Sequence, residues 1–155
     1  MIDGLHKRAI EQAELGRGLY PEESRLVDKK TRRGGTPLHF AVAQDHCEVI
    51  ERLINLRADV KASDSLGRTA LHQAIVSGHN LPVLTLLKAN LDVNATDKNG
   101  DTPLISAAKN GMIDAVKYLV NHRAKLDNED RFGSTALRNA TEGNHSDIVW
   151  YLLEK

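Results

Sequence analysis

Four threonines, Thr36, Thr69, Thr102 and Thr135, recur at intervals of 33 residues, and each opens a similar phrase. The phrases are Gly-Gly-Thr-Pro-Leu-His, Gly-Arg-Thr-Ala-Leu-His, Gly-Asp-Thr-Pro-Leu-Ile and Gly-Ser-Thr-Ala-Leu-Arg. A period held three times without slippage marks a stack of one supersecondary unit. Each unit must bury its apolar face against its neighbours, and such stacks usually bind partners rather than carry out chemistry.

Stacked at this period, the columns acquire physical meaning. Gly34, Gly67, Gly100 and Gly133 predict a tight turn, because glycine tolerates positive φ. The Thr that follows predicts an N-cap, with Pro37 and Pro103 behind it where a missing N–H costs nothing. Leu38, Leu71, Leu104 and Leu137 are the expected first buried anchors. Ala41, Ala74, Ala107 and Ala140 let neighbouring helices approach closely. A second helix follows, with apolar columns at Ile50, Val83, Val116, Val149, then Leu53, Leu86, Leu119, Leu152, then Ile54, Leu87, Val120, Leu153. Their i, i+3, i+4 spacing places them on one helical face. Asp64, Asp97 and Asp130, each three residues before a glycine of the first column, predict Asx-type turns.

These residues resemble the ankyrin-repeat family, over about residues 35–155. The Thr-Pro-Leu-His phrase is complete at 36–39 and partial in the other three units. The resemblance implies a mainly α solenoid, each repeat pairing a projecting β-turn or hairpin with two antiparallel helices. It also implies a concave face of turn tips and first helices where partner proteins dock. The first-column His of the family hydrogen-bonds within and between units. Asn94 resembles an asparagine that a dioxygenase hydroxylates in some animal ankyrin repeats, or is an ordinary turn residue. The chain is expected to be one domain, with a divergent N-terminal capping repeat over 1–34 and repeats at 35–67, 68–100, 101–133 and 134–155.

Where the family has glycine at the end of the second helix, this chain has Arg57, Asn90 and Arg123. Strained or altered helix ends are expected there, since Arg enters the left-handed region at a cost. Pro82 falls in the first turn of a helix, where it is tolerated. Within 1–34 a helix is predicted over about 4–15, then an irregular or short helical piece from Pro21. Trp150 is expected to be partly exposed, covering the end of the stack, serving as contact surface, or marking a continuation into further repeats.

Zero formal net charge argues against non-specific nucleic-acid binding. One cysteine, Cys47, excludes an intrachain disulfide framework. No apolar run is long enough to span a membrane, and no secretory signal is visible, so the expected location is the cytoplasm, with the nucleus open. His39 and His72 share a column with His6, and His46, His79 and His145 share another. Residues one repeat apart lie about 8–10 Å from each other, too far to share a zinc ion. No cofactor, metal or catalytic constellation is expected, and Cys47 reads as an ordinary thiol. The run Lys29-Lys30-Thr31-Arg32-Arg33 reads as a solvated tip, an anionic-partner patch or an import signal.

Positions that the scaffold does not need are free to specify a partner. At the tips these are Arg32, Arg33, Ser65, Leu66, Arg68, Lys98, Asn99, Asp101, Arg131 and Phe132. On the first helices they are Val76, Lys109, Asn110 and Glu142. Leu66 and Phe132 stand out, because a scaffold has no reason to place large apolar groups on turn tips. The four Arg side chains suit acidic groups, a preference that Asp101 and Glu142 weaken. The expected function is a non-enzymatic, monomeric module binding another protein as adaptor or inhibitor. Its alternatives are an ankyrin segment of a larger protein, against which Met1 and the lack of a linker argue, and a pathogen effector engaging host proteins.

Overall fold

A computed structural model describes residues 26–155. The helix expected over 4–15, and with it most of the capping repeat, lies outside the described residues. Four helix pairs follow: α1 (Pro37–Ala43) with α2 (Cys47–Asn55), α3 (Ala70–Val76) with α4 (Asn80–Leu87), α5 (Pro103–Lys109) with α6 (Ile113–Asn121), and α7 (Ala136–Glu142) with α8 (Ser146–Leu153). The first helices pack on one another in chain order and the second helices do likewise, which gives two helical layers. A single backbone bridge, Ser63 to Thr69, is the only β pairing among the described residues.

Helices of seven to nine residues are too short to be stable alone, so packing must hold them. Leu38, Leu71 and Leu104 are 1%, 2% and 1% exposed, and Ile50, Val83 and Val116 are fully buried. Each such side chain contributes about 1.5–3 kcal/mol. Ala74, Ala107 and Ala140 have no exposed surface at all, so adjacent helices meet over methyl groups. The last pair has a neighbour on one side in this chain. There Leu137, expected to be buried, is only half-buried, and Leu153 and Trp150 are exposed.

Every first helix starts at its Thr, whose backbone is extended. In the first two repeats the cap is reciprocal: the Thr36 and Thr69 amides donate to Nδ1 of His39 and His72. In the last two, where Ile105 and Arg138 replace His, the Thr hydroxyl accepts the amide of that residue. The turn into the second helix uses positive φ at Asp45, Gly78, Gly111 and Asn144. The next amide then reaches back five residues, as from His79 to the Ala74 carbonyl at 3.0 Å.

The two kinds of expected helix end both occur. Arg57 and Arg123 take φ of 64° and 65°, and the amides of Ala58 and Ala124 close the end on Leu53 and Leu119. Asn90, the residue better suited to that region, does not enter it. The next residue explains the difference. The position that buries the methyls of Ala58 and Ala124 is occupied by Leu91, whose larger side chain is only part-buried. The end of α4 opens instead, with Ala89 donating to Leu86 and Leu91 to Ala89.

Candidate functional site

The turn tips are small hairpins built on the aspartate column. Asp64 Oδ1 accepts the amides of Leu66 and Arg68, both at 2.9 Å. Asp97 holds Asn99 and Asp101, and Asp130 holds Phe132 and Ser134, in the same way. Neighbouring tips are then sewn together by backbone. Ser65 N donates to Arg33 O, Lys98 N to Leu66 O and Arg131 N to Asn99 O, at 2.9–3.0 Å. That approach is a second reason for the glycine column. A Cβ on Gly34, Gly67 or Gly100 would stand 2.9 Å from the backbone nitrogen of the next tip.

Histidines add links in both directions. His39 Nε2 donates to the Arg68 carbonyl and His72 Nε2 to the Asp101 carbonyl, each at 2.9 Å. Nδ1 is already an acceptor in each ring, so the proton belongs on Nε2. His79 and His145 reach the carbonyls of Ala43 and Lys109 in the preceding repeat. Burial holds the pKa values of His39 and His72 below their ordinary value, against the raising effect of the carbonyls. Asn94 Oδ1 accepts the Lys125 amide at 2.8 Å, which makes it a tie between repeats. Burial, and then Asp45, raise the Cys47 thiol, which opposes thiolate formation.

A groove of about 240 Å³ opens between the tips and first helices of the second and third repeats. Leu66, Arg68 and Val76 form one wall, and Lys98, Asn99 and Asp101 the other. Lys109 and Asn110 complete the floor with Ser106. Eight of the fourteen residues singled out from the sequence are thus brought to one place. Arg32, Arg33, Ser65, Arg131, Phe132 and Glu142 are exposed outside it. Phe132 is 76% exposed and Leu66 53%, so neither is consumed by packing against its own turn.

Four of the fourteen are held in ion pairs within the molecule, contrary to their expected freedom, and Asn110 also bonds the Ser106 carbonyl. Arg68 forks onto Asp64 Oδ2 through Nε and a terminal nitrogen at 3.0 and 2.9 Å. Asp101 is buried, its carboxylate 2.6 Å from Lys109 Nζ. Lys109 also lies 3.2 Å from Asp130, and Glu142 pairs with Arg138. Burial alone would raise Asp130. The amides of Ser134 and Phe132, with Lys109 and Asn139, instead hold it down at about 2. This ion cluster ties α5 to the tip that precedes α7, where Ile105 has replaced the bridging His.

Sequence reasoning missed Phe40, which is 52% exposed and shares its column with Ser106 of the groove floor. The signal was present: an aromatic in a column otherwise filled by Gln73, Ser106 and Asn139. Its ring lies over the first tip, where a Cβ on Gly35 would meet it at 3.3 Å.

Among the described residues no helix is long and apolar enough to cross a membrane, and no cluster of three His, Cys, Asp or Glu could hold a metal. A search of the curated proteins matched none. The family model for ankyrin repeats (3 copies) matches residues 8–97 and 79–155, reaching further toward the N-terminus than the motif at 36–39. With that match over most of its length, and with capped helix pairs and sewn tips recurring at the sequence period, the chain belongs to the ankyrin-repeat family.

Proposed function

We propose that this protein binds another protein through the tips and the groove between them, and acts by occluding or bridging that partner. Ankyrin repeats are in general protein–protein interaction modules. The observation that carries the reading here is the exposure of Leu66, Val76 and Phe132 on that face, beside polar groups whose backbone is fixed by tip-to-tip bonds. Large apolar groups on a rigid frame bind with little loss of conformational entropy. Apart from Lys98, the charged groups of the groove are spent on internal bonds, which favours recognition over catalysis. The cytoplasm remains the proposed location.

Quantitative affinity capture from extracts of the source cells tests this, with wild type compared to a Leu66→Ser/Phe132→Ser double variant. The same melting temperature with a defined set of proteins lost from the variant supports the reading. Equal capture by both forms, or no enrichment by wild type, overturns it. Arg68 is left intact, because its fork on Asp64 supports the tip itself.

A further inference from the structure

The formal charge of the chain is zero, yet on the tips the cations are more exposed than most of the acids. Most of these acids are engaged internally. Asp64 is forked by Arg68, Asp101 and Asp130 share Lys109, Glu142 pairs with Arg138, and Asp97 accepts two tip amides. Lys98 and Arg131 are exposed and, among the described residues, have no carboxylate partner, and the same holds for Arg32 and Arg33. Against them stand Glu129, exposed beside Gly133 on the last tip, Asp97, which is held by amides alone, and the second of the two carboxylates that share Lys109. What distinguishes the row is therefore accessibility: Arg32, Arg33, Lys98 and Arg131 are exposed to a partner, whereas Asp101 and Asp130 are buried and Asp64 and Asp97 are half-buried and hydrogen-bonded to the tips.

The geometry of the row is equally specific. Arg32, Ser65, Lys98 and Arg131 form one line across successive tips, and Arg33, Leu66, Asn99 and Phe132 form the next. The backbone bonds between tips hold these lines in register. Adjacent repeats are spaced by roughly the helix-packing distance, about 8–10 Å. An extended chain advances about 3.3 Å per residue, so about three residues of such a chain match one repeat. Leu66 and Phe132 lie two repeats apart, a span of about six extended residues.

We infer that the tip row takes an extended, acidic segment of the partner, with carboxylates opposite Lys98 and Arg131 and two apolar side chains about six residues apart. One apolar side chain seats between Leu66 and Val76 at the mouth of the groove, and the other packs on Phe132. The inference rests on the protein-binding reading above and adds to it the chemistry and spacing of the bound segment. Charge on an interface rim steers association and weakens with salt, so the acid content sets on-rate and specificity while the apolar pair resists dissociation.

The test is selection of a random displayed peptide library against the full chain, in parallel with a Lys98→Glu/Arg131→Glu variant. Both side chains are exposed, so the variant should melt with wild type. Wild type is expected to enrich sequences rich in Asp and Glu with two large apolar residues about six apart. A selected peptide, synthesised with a fluorophore, should bind the variant at least about tenfold more weakly by anisotropy, and lose affinity as salt is raised. Enriched peptides without acidic bias, or affinity unchanged by charge reversal, overturn the inference. If such peptides still depend on Leu66 and Phe132, the protein-binding reading stands and only its acidic chemistry falls. Failure to enrich any peptide overturns the extended segment, and the capture experiment then decides the broader reading by itself.

Discussion

Lys109 Nζ lies 2.6 Å from Asp101 Oδ1, and this contact joins two successive tips because the same ammonium reaches Asp130 at 3.2 Å. The residue looked like a free contact position from the sequence. It is a structural cation between two buried acids, and its pKa is raised: burial works against the charge, and the hydrogen bonds it donates to both carboxylates outweigh it.

Replacing Lys109 with Met should therefore cost stability, not only binding. Two carboxylates would be left close together without their counter-charge. A loss of about 2–3 kcal/mol in urea denaturation is expected, less than for a fully buried pair because Lys109 is partly solvated. A change below about 0.5 kcal/mol would return Lys109 to the list of free surface residues.

Acid should destabilise the protein in two stages. His39 and His72 have folded pKa values below the ordinary 6.5, so their contribution is complete above that value and is lost as pH falls below it. The groups around them are mixed, with Asp64, Arg68 and Lys30 near His39 and Asp97, Asp101 and Arg68 near His72. Asp130 is depressed from 3.8 to about 2, so its contribution is present above 3.8 and disappears as pH falls through about 2. Thermal melts from pH 8 to pH 2 should show a first decline beginning near 6.5, reduced in a His72→Asn variant measured relative to its own value at pH 8.

Two glycines with almost the same backbone should respond differently to alanine. Gly67 and Gly78 have φ of 74° and 76°. A Cβ on Gly78 meets nothing within 4 Å, while one on Gly67 meets the Lys98 nitrogen at 2.9 Å. Gly78→Ala should cost about 1 kcal/mol from conformation alone. Gly67→Ala should cost more than about 2 kcal/mol, because it also pushes the next tip away. Equal losses in denaturant titration would contradict the close packing of the tips.

Glycine at the two left-handed arginines should stabilise. Arg57→Gly and Arg123→Gly are each expected to add about 0.5–1 kcal/mol by removing strain, partly offset by a more flexible unfolded chain. Asn90→Gly should not stabilise, since Asn90 has no positive φ to relieve. A gain at Asn90 equal to that at Arg57 would show that α4 can close like its neighbours.

The 33-residue period, the capping threonines and the leucine columns determined the fold class from sequence alone. They could do so because a repeat fold is built from local contacts copied between neighbours. The candidate face was legible only in part: eight of the residues outside the scaffold columns line one groove, but Arg68, Asp101, Lys109 and Glu142 are also engaged within the molecule. Three matters were decided only in the tertiary structure. Which charges are free depended on Lys109 reaching Asp130, 21 residues away in sequence. Which helix end is strained depended on whether an alanine methyl or Leu91 follows it. And the glycine column answered to the amide of the next tip as well as to its own φ. Each depends on which side chain a neighbouring element or residue presents to the shared position, and a period read along one chain does not contain that information.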